Sequence, residues 1–452
     1  MRAIPTLKIS ISGVRGVVGE SLTPTLLTRF TQAYGTCMGS GRIVVGRDTR
    51  TSGEMVRQAV IAGLLSTGNR IVDVGVCPTP TVQLGVRHVG AHGGIAITAS
   101  HNPAEWNALK FIGPDALFLG GARGRELLDI YHQGEYRRVR GSGMPRIESR
   151  PDVLDRHLRA VVDALGVLPT AGGRRLKVAL DSCNGAGSLV TPRLIEALGA
   201  EVVTIHTTPD GSFPRGAEPT PENLSALCDL VRSSNADVGF AQDMDADRLA
   251  IVSELGEPIG EELTLVLAVQ RVLARTPGTV VTNLSTTHRL DVVTGRAGCR
   301  VVRTAVGEAN VAEGMQREDA IIGGEGNGGV IYPAINFGRD SLVGIGLVLH
   351  LLADAREPLS SLVAALPASS MVKAQTPCPS QRVADVLRRV RQVYAEYQLD
   401  LRDGVKVTLG EAWFHVRGSN TEPIIRVVSE APTAAAARAL AAEVFELVGS
   451  MI

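Results

Sequence analysis

The sequence predicts an α/β protein made of several domains, and three observations lead to this prediction. Short β-branched segments alternate with longer helical patterns, which is typical of βαβ units around a mostly parallel sheet. The alternation restarts several times within 452 residues, a length well beyond one compact core. The last part differs, because strand-like segments precede an alanine-rich helix from Ala434. We therefore expect three consecutive mixed α/β domains and a smaller C-terminal α+β domain.

The individual elements follow from the spacing of apolar and β-branched residues. Strand-like segments and the helical patterns after them are RIVVG at 42–46 with 54–66, RIVDVGV at 70–76 with 82–89, and LKVAL at 176–180 with 189–198. Near the end, KVTLGEAWFHVRGS at 406–419 and IIRVVSE at 424–430 predict strands. Turn-rich stretches separate these groups, and we predict domains at 1–150, 151–254, 255–367 and 368–452.

Composition and charge exclude several classes of function. The chain has 46 basic and 46 acidic side chains, without the basic excess that nucleic-acid binders usually show. Its six cysteines lie far apart with no C-x-x-C pair. The sequence therefore lacks the cysteine spacing of a zinc site, and we expect the cysteines to be reduced and buried. The longest near-apolar stretch is too short for a bilayer. We expect a cytoplasmic protein with no nucleic-acid or membrane partner.

The first candidate site is ITASHNP at 97–103, after the strand-like GGIAI. A strand that ends in a polar turn exposes a hydroxyl at a sheet edge, and Asn-Pro keeps a helix from starting at once. Ser100 is therefore a candidate nucleophile with His101 beside it. A turn serine next to a surface histidine remains an alternative. A serine hydrolase is less well supported, because G-x-S-x-G is missing and adjacent Ser and His seldom form a triad.

The second candidate site is DMDADR at 243–248, between two strand-like segments. Asp243, Asp245 and Asp247 form a cluster that repels itself unless a divalent cation neutralises it, and oxygen ligands suit Mg²⁺ or Ca²⁺. An EF-hand is excluded, because Arg248 occupies the position that needs glycine and strands flank the motif. A solvated acidic turn is the remaining alternative. Arg248 would suit a phosphate bound at the same metal.

The third candidate site is GGEGNGG at 323–329. It contains G-x-G-x-x-G, but VIYP follows where a dinucleotide-binding motif should open a helix. We predict a loop whose glycines let the backbone approach a ligand, while Glu325 and Asn327 hydrogen-bond hydroxyl groups. A plain glycine turn is the alternative.

The fourth candidate site is RGSNTEP at 417–423, followed by IIR. Two arginines, two hydroxyls, an amide and free backbone N–H groups are groups that bind phosphate in a turn. An ordinary hairpin turn is equally compatible with this segment alone. The residues concerned are Arg417, Ser419, Asn420, Thr421 and Arg426.

Together the four motifs, in this order, resemble the α-D-phosphohexomutase family, which includes phosphoglucomutases, phosphomannomutases and phosphoglucosamine mutases. SGVRG at 12–16 and VGRDTRTSG at 45–53 extend the match, which runs from 12 to 426. The resemblance implies four domains around a deep central cleft, each providing one loop. It also implies that a phosphoserine exchanges phosphoryl groups with a hexose phosphate through a bisphosphate intermediate.

The resemblance also assigns roles to residues. It implies that Ser100 is the phosphoserine and that Asp243, Asp245 and Asp247 hold Mg²⁺ against its phosphate. Catalytic roles are implied for Arg248, which orients that group, for Arg15 and Lys110, which neutralise charge, and for His101. Glu325 and Asn327 belong to the sugar loop, and the phosphate that does not react is held by Arg417, Ser419, Asn420 and Thr421, with Arg426 beside them.

Three departures from the family pattern need an explanation. Met244 replaces the glycine of D-G-D-x-D-R, and Ala108 replaces the glycine of N-G-x-K. In the sugar loop, Asn327 and Gly329 occupy the Ser and His positions of G-E-x-S-G-H, which leaves the general acid–base group open between His101 and Lys110.

The expected activity is therefore interconversion of hexose 6-phosphate and hexose 1-phosphate, with Mg²⁺ and a hexose 1,6-bisphosphate activator. ITASHNP and the segment 306–308 resemble phosphoglucosamine mutases most, which favours glucosamine phosphate over glucose or mannose phosphate. A metal-dependent sugar phosphatase and a non-catalytic sugar-phosphate binder are alternatives from other classes. The oligomeric state does not follow from the sequence.

Overall fold

Four β-sheets with their helices form the protein, in a computed structural model that describes residues 6–10, 13–169, 174–419 and 423–452. We call the four sheets and their helices the first to fourth units, in chain order. Three units combine sheets with helices in βαβ order, and the fourth combines a sheet with two helices, in agreement with the predicted three α/β domains and C-terminal α+β domain. Among the described residues, no helix has the length and apolar character to cross a lipid bilayer.

The first unit has a seven-stranded sheet in the order β1-β2-β6-β5-β3-β4-β7. Its elements are β1 (Lys8–Ser10), β2 (Gly13–Val17), α1 (Pro24–Cys37), β3 (Arg42–Arg47), α2 (Gly53–Ser66), β4 (Arg70–Val76), α3 (Thr79–His88), β5 (Gly93–Ile97), β6 (Trp106–Ile112), α4 (Gly121–Gln133) and β7 (Ile147–Ser149). The strands β5, β3, β4 and β7 run parallel, whereas β6 and β2 pair antiparallel. This sheet is therefore mixed rather than mostly parallel.

The second and third units each have a four-stranded sheet, in the orders β11-β10-β8-β9 and β13-β12-β14-β15. The second contains α5 (Asp152–Leu165), β8 (Lys177–Asp181), α6 (Thr191–Ala197), β9 (Glu201–Ile205), α7 (Ser225–Ser234), β10 (Val238–Gln242) and β11 (Leu249–Ser253). The third contains α8 (Glu262–Leu273), β12 (Val280–Asn283), α9 (Arg289–Arg296), β13 (Val301–Thr304), α10 (Glu308–Arg317), β14 (Ile322–Glu325), β15 (Gly329–Ile331), α11 (Ser341–Ala355) and α12 (Leu359–Ala364).

The fourth unit has a five-stranded antiparallel sheet in the order β16-β20-β19-β18-β17. Its elements are β16 (Ser370–Pro377), α13 (Ser380–Val393), β17 (Gln398–Asp400), β18 (Val405–Leu409), β19 (Ala412–Gly418), β20 (Ile424–Ala431) and α14 (Ala434–Gly449). Thr433 caps α14, because its side chain accepts a hydrogen bond from the Ala436 N–H.

The candidate loops occupy equivalent places in the first three units. In each, a parallel strand ends at the loop and the chain returns as an antiparallel neighbour: β5 to β6, β10 to β11, and β14 to β15. Ligands of open α/β sheets bind outside the carboxyl ends of such strands. The fold therefore brings three of the predicted motifs to the same kind of sheet edge.

The second and third units share one hydrophobic core, whereas the fourth has its own. Val161 of α5 and Leu180 of β8 belong to the same buried cluster as Leu265 of α8 and Ile345 of α11. The buried cluster of the fourth unit contains residues from 378 to 448 only. Polar contacts connect it to the third unit, because Glu430 accepts hydrogen bonds from Thr287 Oγ1 and the His288 N–H.

Candidate active site

The loop that carries Ser100 is held by a buried arginine that the sequence reasoning did not single out. Arg50 is 1% exposed, and its Nη2 donates to the Ser100 and Asn102 carbonyl oxygens at 2.6 and 2.7 Å. Its Nη1 donates to the Pro103 and Trp106 carbonyls, and Nε donates to Asp48 Oδ2 at 3.1 Å. One guanidinium therefore satisfies four carbonyls of the loop. The VGRDTRTSG motif, which contains Arg50, was the available signal.

Ser100 directly contacts the acidic motif of the second unit. Its hydroxyl donates to Asp243 Oδ2 at 2.7 Å, and His101 Nδ1 lies 3.4 Å from the same hydroxyl oxygen. The Ser100 backbone has φ +49°, and Ala246 in the acidic loop has φ +53°. A left-handed backbone at a residue other than glycine costs energy and often occurs at functional sites. Ser100 is therefore not a surface turn serine.

The three aspartates form a compact buried cluster. Ligand atoms of Asp243, Asp245 and Asp247 lie within 4.8 Å of one another, and each residue is at most 1% exposed. Asp245 Oδ1 and Asp247 Oδ1 are buried without a hydrogen-bond partner among the described residues. A solvated acidic turn is therefore wrong for this motif. Free buried carboxylate oxygens beside a serine hydroxyl fit a hard divalent cation such as Mg²⁺.

Unequal surroundings separate the pKa values of these carboxyl groups. Burial raises the pKa of Asp243 well above its usual range, and the charges of Asp247 and Asp245 raise it further. Burial also disfavours ionised Asp247, but the nearby cations Arg339 and Lys110 outweigh it and hold the Asp247 pKa low. The cluster thus combines strong mutual repulsion with one firmly ionised carboxylate, which favours cation binding.

Three cationic residues predicted from the sequence contact this cluster or the serine loop beside it. Lys110 Nζ lies 2.7 Å from Asp245 Oδ2 and 3.4 Å from Asp247 Oδ2. Arg15 Nη1 donates to Asn102 Oδ1 at 2.6 Å, in the serine loop. The Arg248 backbone N–H donates to Asp243 Oδ1 at 3.2 Å. The charge of Arg248 and then burial lower the pKa of His101 to about 2, so His101 is neutral and only weakly basic.

Two departures from the family motifs have simple physical explanations. Met244 is fully buried with Cys183 and Ala217, and its φ is not positive, so the backbone does not need glycine there. Ala108 lies in β6, paired with Arg15 of β2, and is 3% exposed. Met244 therefore packs in an apolar cluster, Ala108 occupies a regular strand position, and neither position has a positive φ that would require glycine.

The loop that carries Glu325 lies against the aspartate cluster through a second arginine that the sequence reasoning missed. Glu325 Oε1 accepts from Asn283 Nδ2 at 2.9 Å and from the Gly307 N–H at 3.0 Å. Arg339 Nη1 donates to Glu325 Oε2 at 2.9 Å, and its Nη2 donates to Asp247 Oδ2 at 2.7 Å. Arg339 follows β15 in an irregular segment without a motif, so the sequence offered no signal for it.

Asn327 has a structural contact inside the same loop, because its Oδ1 accepts from the Gly329 N–H at 3.3 Å. The loop is not a plain glycine turn, since Glu325 is only 4% exposed and connects to three other segments.

Arg417, at the start of the fourth motif, lies at the end of β19 and next to the third unit. Arg417 Nε donates to Asp403 Oδ2 at 3.0 Å, and the same oxygen accepts from the Val306 N–H at 3.0 Å. The Ser419 N–H donates to the Ile424 carbonyl at 3.0 Å, and Arg426 is exposed on β20. Asn420 and Thr421 lie outside the described residues.

Comparisons with known proteins agree with this arrangement. Four family models match consecutive parts of the chain: phosphoglucomutase/phosphomannomutase alpha/beta/alpha domain I at 7–138, domain II at 155–256, domain III at 260–369 and the C-terminal domain at 373–447.

Two relatives and one solved structure match this chain over nearly its full length. A phosphoglucomutase/phosphomannomutase from Thermococcus kodakarensis is 37% identical over 435 residues, covering 94% of this chain and 95% of that protein. A probable phosphoglucosamine mutase from Methanopyrus kandleri is 37% identical over 443 residues, covering 97% and 96%. A crystal structure of a phosphoglucomutase/phosphomannomutase family protein from Burkholderia thailandensis has a TM-score of 0.85 at 27% identity, covering 98% and 96%. With its serine and acidic loops in contact, this chain belongs to the phosphoglucomutase/phosphomannomutase family.

Proposed function

We propose that this protein is a Mg²⁺-dependent phosphohexomutase that uses phosphorylated Ser100. One observation carries the proposal: Ser100 Oγ lies 2.7 Å from Asp243 Oδ2, next to two buried carboxylate oxygens without hydrogen-bond partners among the described residues. A hydroxyl beside a cation site suits phosphoryl transfer, where positioning and charge stabilisation supply most of the catalysis.

The reaction then has two transfers with balanced protons. In the first, the bond between Ser100 Oγ and phosphorus breaks, a bond from phosphorus to the free sugar hydroxyl forms, and the hydroxyl proton leaves as Ser100 Oγ gains one. In the second, the bond between the other phosphorus of the bisphosphate and its sugar oxygen breaks, a bond from that phosphorus to Ser100 Oγ forms, and Ser100 Oγ loses its proton as the sugar oxygen gains one. His101 Nδ1 lies 3.4 Å from Ser100 Oγ, but its lowered pKa makes it a poor proton carrier, so it orients this oxygen. Lys110 keeps its proton, because Asp245 and Asp247 outweigh the effect of burial and raise its pKa.

The cation would be held by Asp243, Asp245, Asp247 and the oxygens of phosphorylated Ser100. When bound, it supplies charge stabilisation to the phosphoryl group. Arg248, Arg15 and Lys110 add positive charge around the same position, and Glu325 and Asn327 provide acceptors for sugar hydroxyls. The segment of Arg417, Ser419, Asn420, Thr421 and Arg426 binds the phosphate that does not react.

Reorientation of the bisphosphate requires room, which we propose comes from motion of the fourth unit. Its hydrophobic core is separate, and hydrogen bonds such as Lys406 Nζ to the Leu284 carbonyl at 2.7 Å connect it to the third unit. Polar interfaces separate more readily than shared apolar cores. Closure would then exclude water that competes for the phosphoryl group.

For the substrate we propose glucosamine phosphate, because a probable phosphoglucosamine mutase is 37% identical over 97% of this chain. A phosphoglucomutase/phosphomannomutase is equally similar at 37%, so glucose and mannose phosphates are the second candidates. The specificity constants for the three 6-phosphates, with Mg²⁺ and the matching 1,6-bisphosphate, decide between them. A clear preference for glucose or mannose 6-phosphate contradicts the amino-sugar assignment without affecting the mutase.

The mutase itself is tested with Ser100→Ala. We expect the wild type to carry phosphate on Ser100 in peptide mass spectrometry and to interconvert 1- and 6-phosphates. The variant should lose both properties and keep sugar-phosphate binding in calorimetry. Ser234→Ala, at the end of α7, is the matched control. Normal isomerisation by Ser100→Ala would refute the mechanism, and release of inorganic phosphate without isomer formation would indicate a phosphatase.

A further inference from the structure

Arg339 contacts three carboxylates from different segments. Besides its bonds to Asp247 and Glu325, its Nε lies 2.9 Å from Glu308 Oε2, and its backbone N–H donates to Glu308 Oε1 at 3.1 Å. The Arg339 side chain is 9% exposed. A planar guanidinium presents donors in a fixed fork, so one side chain can fix several carboxylates at once. The metal loop and the sugar loop therefore meet at a single cation.

The contact with Asp247 determines which of its carboxylate oxygens forms no hydrogen bond. Arg339 Nη2 and Lys110 Nζ both approach Asp247 Oδ2. Asp247 Oδ1 is buried with no hydrogen-bond partner among the described residues and lies 3.8 Å from Arg248 Nε. Residues behind a metal ligand orient that ligand and raise metal affinity. The other terminal nitrogen of the guanidinium, Nη1, donates to Glu325 Oε2.

Gly329 makes room for this arginine. A Cβ atom added at position 329 would lie 2.9 Å from Arg339 Cγ and closer still to Cδ. These atoms belong to the stem of a side chain that three carboxylates hold, so the stem cannot easily move away. The glycine at the end of the sugar loop and the arginine ten residues later are therefore one structural pair.

The backbone next to Arg339 is anchored by all three α/β units. Asp340 follows Arg339, and its Oδ2 lies 2.7 Å from His157 Nε2 of α5. His157 Nδ1 lies 2.8 Å from Thr81 Oγ1 of α3. All three side chains are buried. Asp340 Oδ1 also caps α11 by accepting from the Leu342 N–H at 2.9 Å. This anchoring keeps Arg339 in place between the two loops.

We propose that Arg339 is a positioning residue that couples cation binding at Asp247 to sugar binding at Glu325, and that Gly329 is required as its partner. The inference rests on the proposed function and adds a specific consequence. Cation and sugar phosphate strengthen each other's binding, and this mutual effect depends on one guanidinium rather than on direct contact of the two ligands. Such coupling is reciprocal by thermodynamic necessity.

The test measures binding without turnover, in a Ser100→Ala background. Mn²⁺ affinity is measured by electron paramagnetic resonance, and affinity for glucosamine 6-phosphate and glucose 6-phosphate by calorimetry with and without Mg²⁺. In the parent, we expect Mg²⁺ to tighten sugar-phosphate binding by about fivefold or more. Arg339→Met should weaken Mn²⁺ binding by about tenfold and abolish the effect of Mg²⁺ on sugar-phosphate affinity.

Thermal unfolding shows whether Arg339→Met is folded. Two milder variants and one control variant test the same coupling if it is not. Arg339→Lys keeps the charge but loses the fork, so it should retain most Mn²⁺ affinity and lose the coupling. Gly329→Ala displaces the arginine and should reduce the coupling while Arg339 is still present. Arg271→Met removes a partly buried arginine of the same unit that pairs with Asp354, and it should change neither affinity.

Two results overturn the inference. One is a folded Arg339→Met variant with parental Mn²⁺ affinity and parental coupling. The other is unchanged coupling in both Arg339→Lys and Gly329→Ala. Failure of the proposed function looks different, because the wild type would then lack phosphate on Ser100 and isomerase activity whatever the binding data show.

Discussion

Arg50 and Ser100 are fifty residues apart in sequence, yet the Arg50 guanidinium donates to the Ser100 carbonyl oxygen at 2.6 Å. The arginine also packs against the ring of Phe213, 4.9 Å from its centroid, and Phe213 lies in the second unit. The loop that carries Ser100 is therefore held in place by a buried charge, and the same charge contacts the unit that carries the three aspartates.

We expect Arg50→Met to impair both stability and phosphorylation. The substitution leaves Asp48 buried without its cation and four carbonyls without donors, a change that costs about 3–5 kcal/mol of unfolding free energy. Urea unfolding measures this loss, and peptide mass spectrometry should show less phosphate on Ser100. Arg70→Met, at the exposed start of β4, is the control. Full Ser100 phosphorylation in a destabilised Arg50→Met protein would mean that Arg50 contributes to stability but not to phosphorylation of Ser100.

Chelation should remove activity reversibly and lower thermal stability. Without a cation the three aspartates repel, whereas a ligand that binds only the folded protein stabilises it. We expect EDTA to abolish isomer exchange and Mg²⁺ to restore both activity and melting temperature. In Asp245→Asn, Mn²⁺ affinity should fall at least about tenfold, while Asp229→Asn, on the exposed side of α7, should behave as wild type. A melting temperature independent of Mg²⁺ would contradict a cation site here.

Arg417→Ala should weaken binding of both isomers more than it slows the chemical step. A charge-assisted hydrogen bond to phosphate contributes about 1.5–3 kcal/mol, so KM should rise roughly tenfold or more for the 1-phosphate and the 6-phosphate alike. Steady-state kinetics in both directions measures this change. Arg388→Ala, an exposed arginine of α13, serves as the comparison. Unchanged KM values for both isomers would remove the phosphate-binding role from this segment.

The buried Lys406 should make the stability of the fourth unit depend on pH. Burial, and then the charge of Arg303, lower the Lys406 pKa to about 6, against about 10.4 in an unfolded chain. Between these values the unfolded chain holds a proton that the folded chain lacks, so the unfolding free energy rises with pH, by up to about 1.4 kcal/mol per unit. Below pH 6 this dependence disappears.

Lys406→Met should remove this rise. The protein has two tryptophans, so Trp413 fluorescence in a Trp106→Phe background reports urea unfolding of the fourth unit at pH 6.5 and pH 9. We expect the unfolding free energy to differ more between these two pH values in the parent than in Lys406→Met. An equal pH dependence in both proteins would mean that Lys406 stays charged in the folded state.

Some features of the protein could be predicted from local sequence. The strands at 42–47, 70–76 and 177–181 agree with predicted β-branched segments, because burial on both faces of a sheet requires such runs. Helix α3 begins at Thr79, before the predicted 82. Pro80 is compatible with its first turn, because the N–H groups of a first turn form no hydrogen bonds within the helix and the missing N–H of proline is not needed. Short motifs that combine unusual residues, such as DMDADR and ITASHNP, also remain visible in one sequence.

The contacts between distant segments could not be predicted in this way. The alternation of strands and helices predicted a mostly parallel sheet, but β6 returns antiparallel in the first unit, and pairing direction depends on how the chain crosses the sheet. Likewise, the motifs indicated Lys110 and Asp245 separately, and only the folded chain brings Lys110 Nζ to 2.7 Å from Asp245 Oδ2.

The sequence by itself thus determined the α/β class and the family, and it predicted the residues that we propose carry the chemistry, because those depend on local patterns and short motifs. The tertiary structure alone decided how they act together. Arg50 lies in a motif, VGRDTRTSG, to which the sequence assigns no role, and Arg339 lies in no motif. Each becomes important only through partners that are distant in sequence. Long-range hydrogen bonds of buried charges depend on the packing of whole units, which no local pattern records.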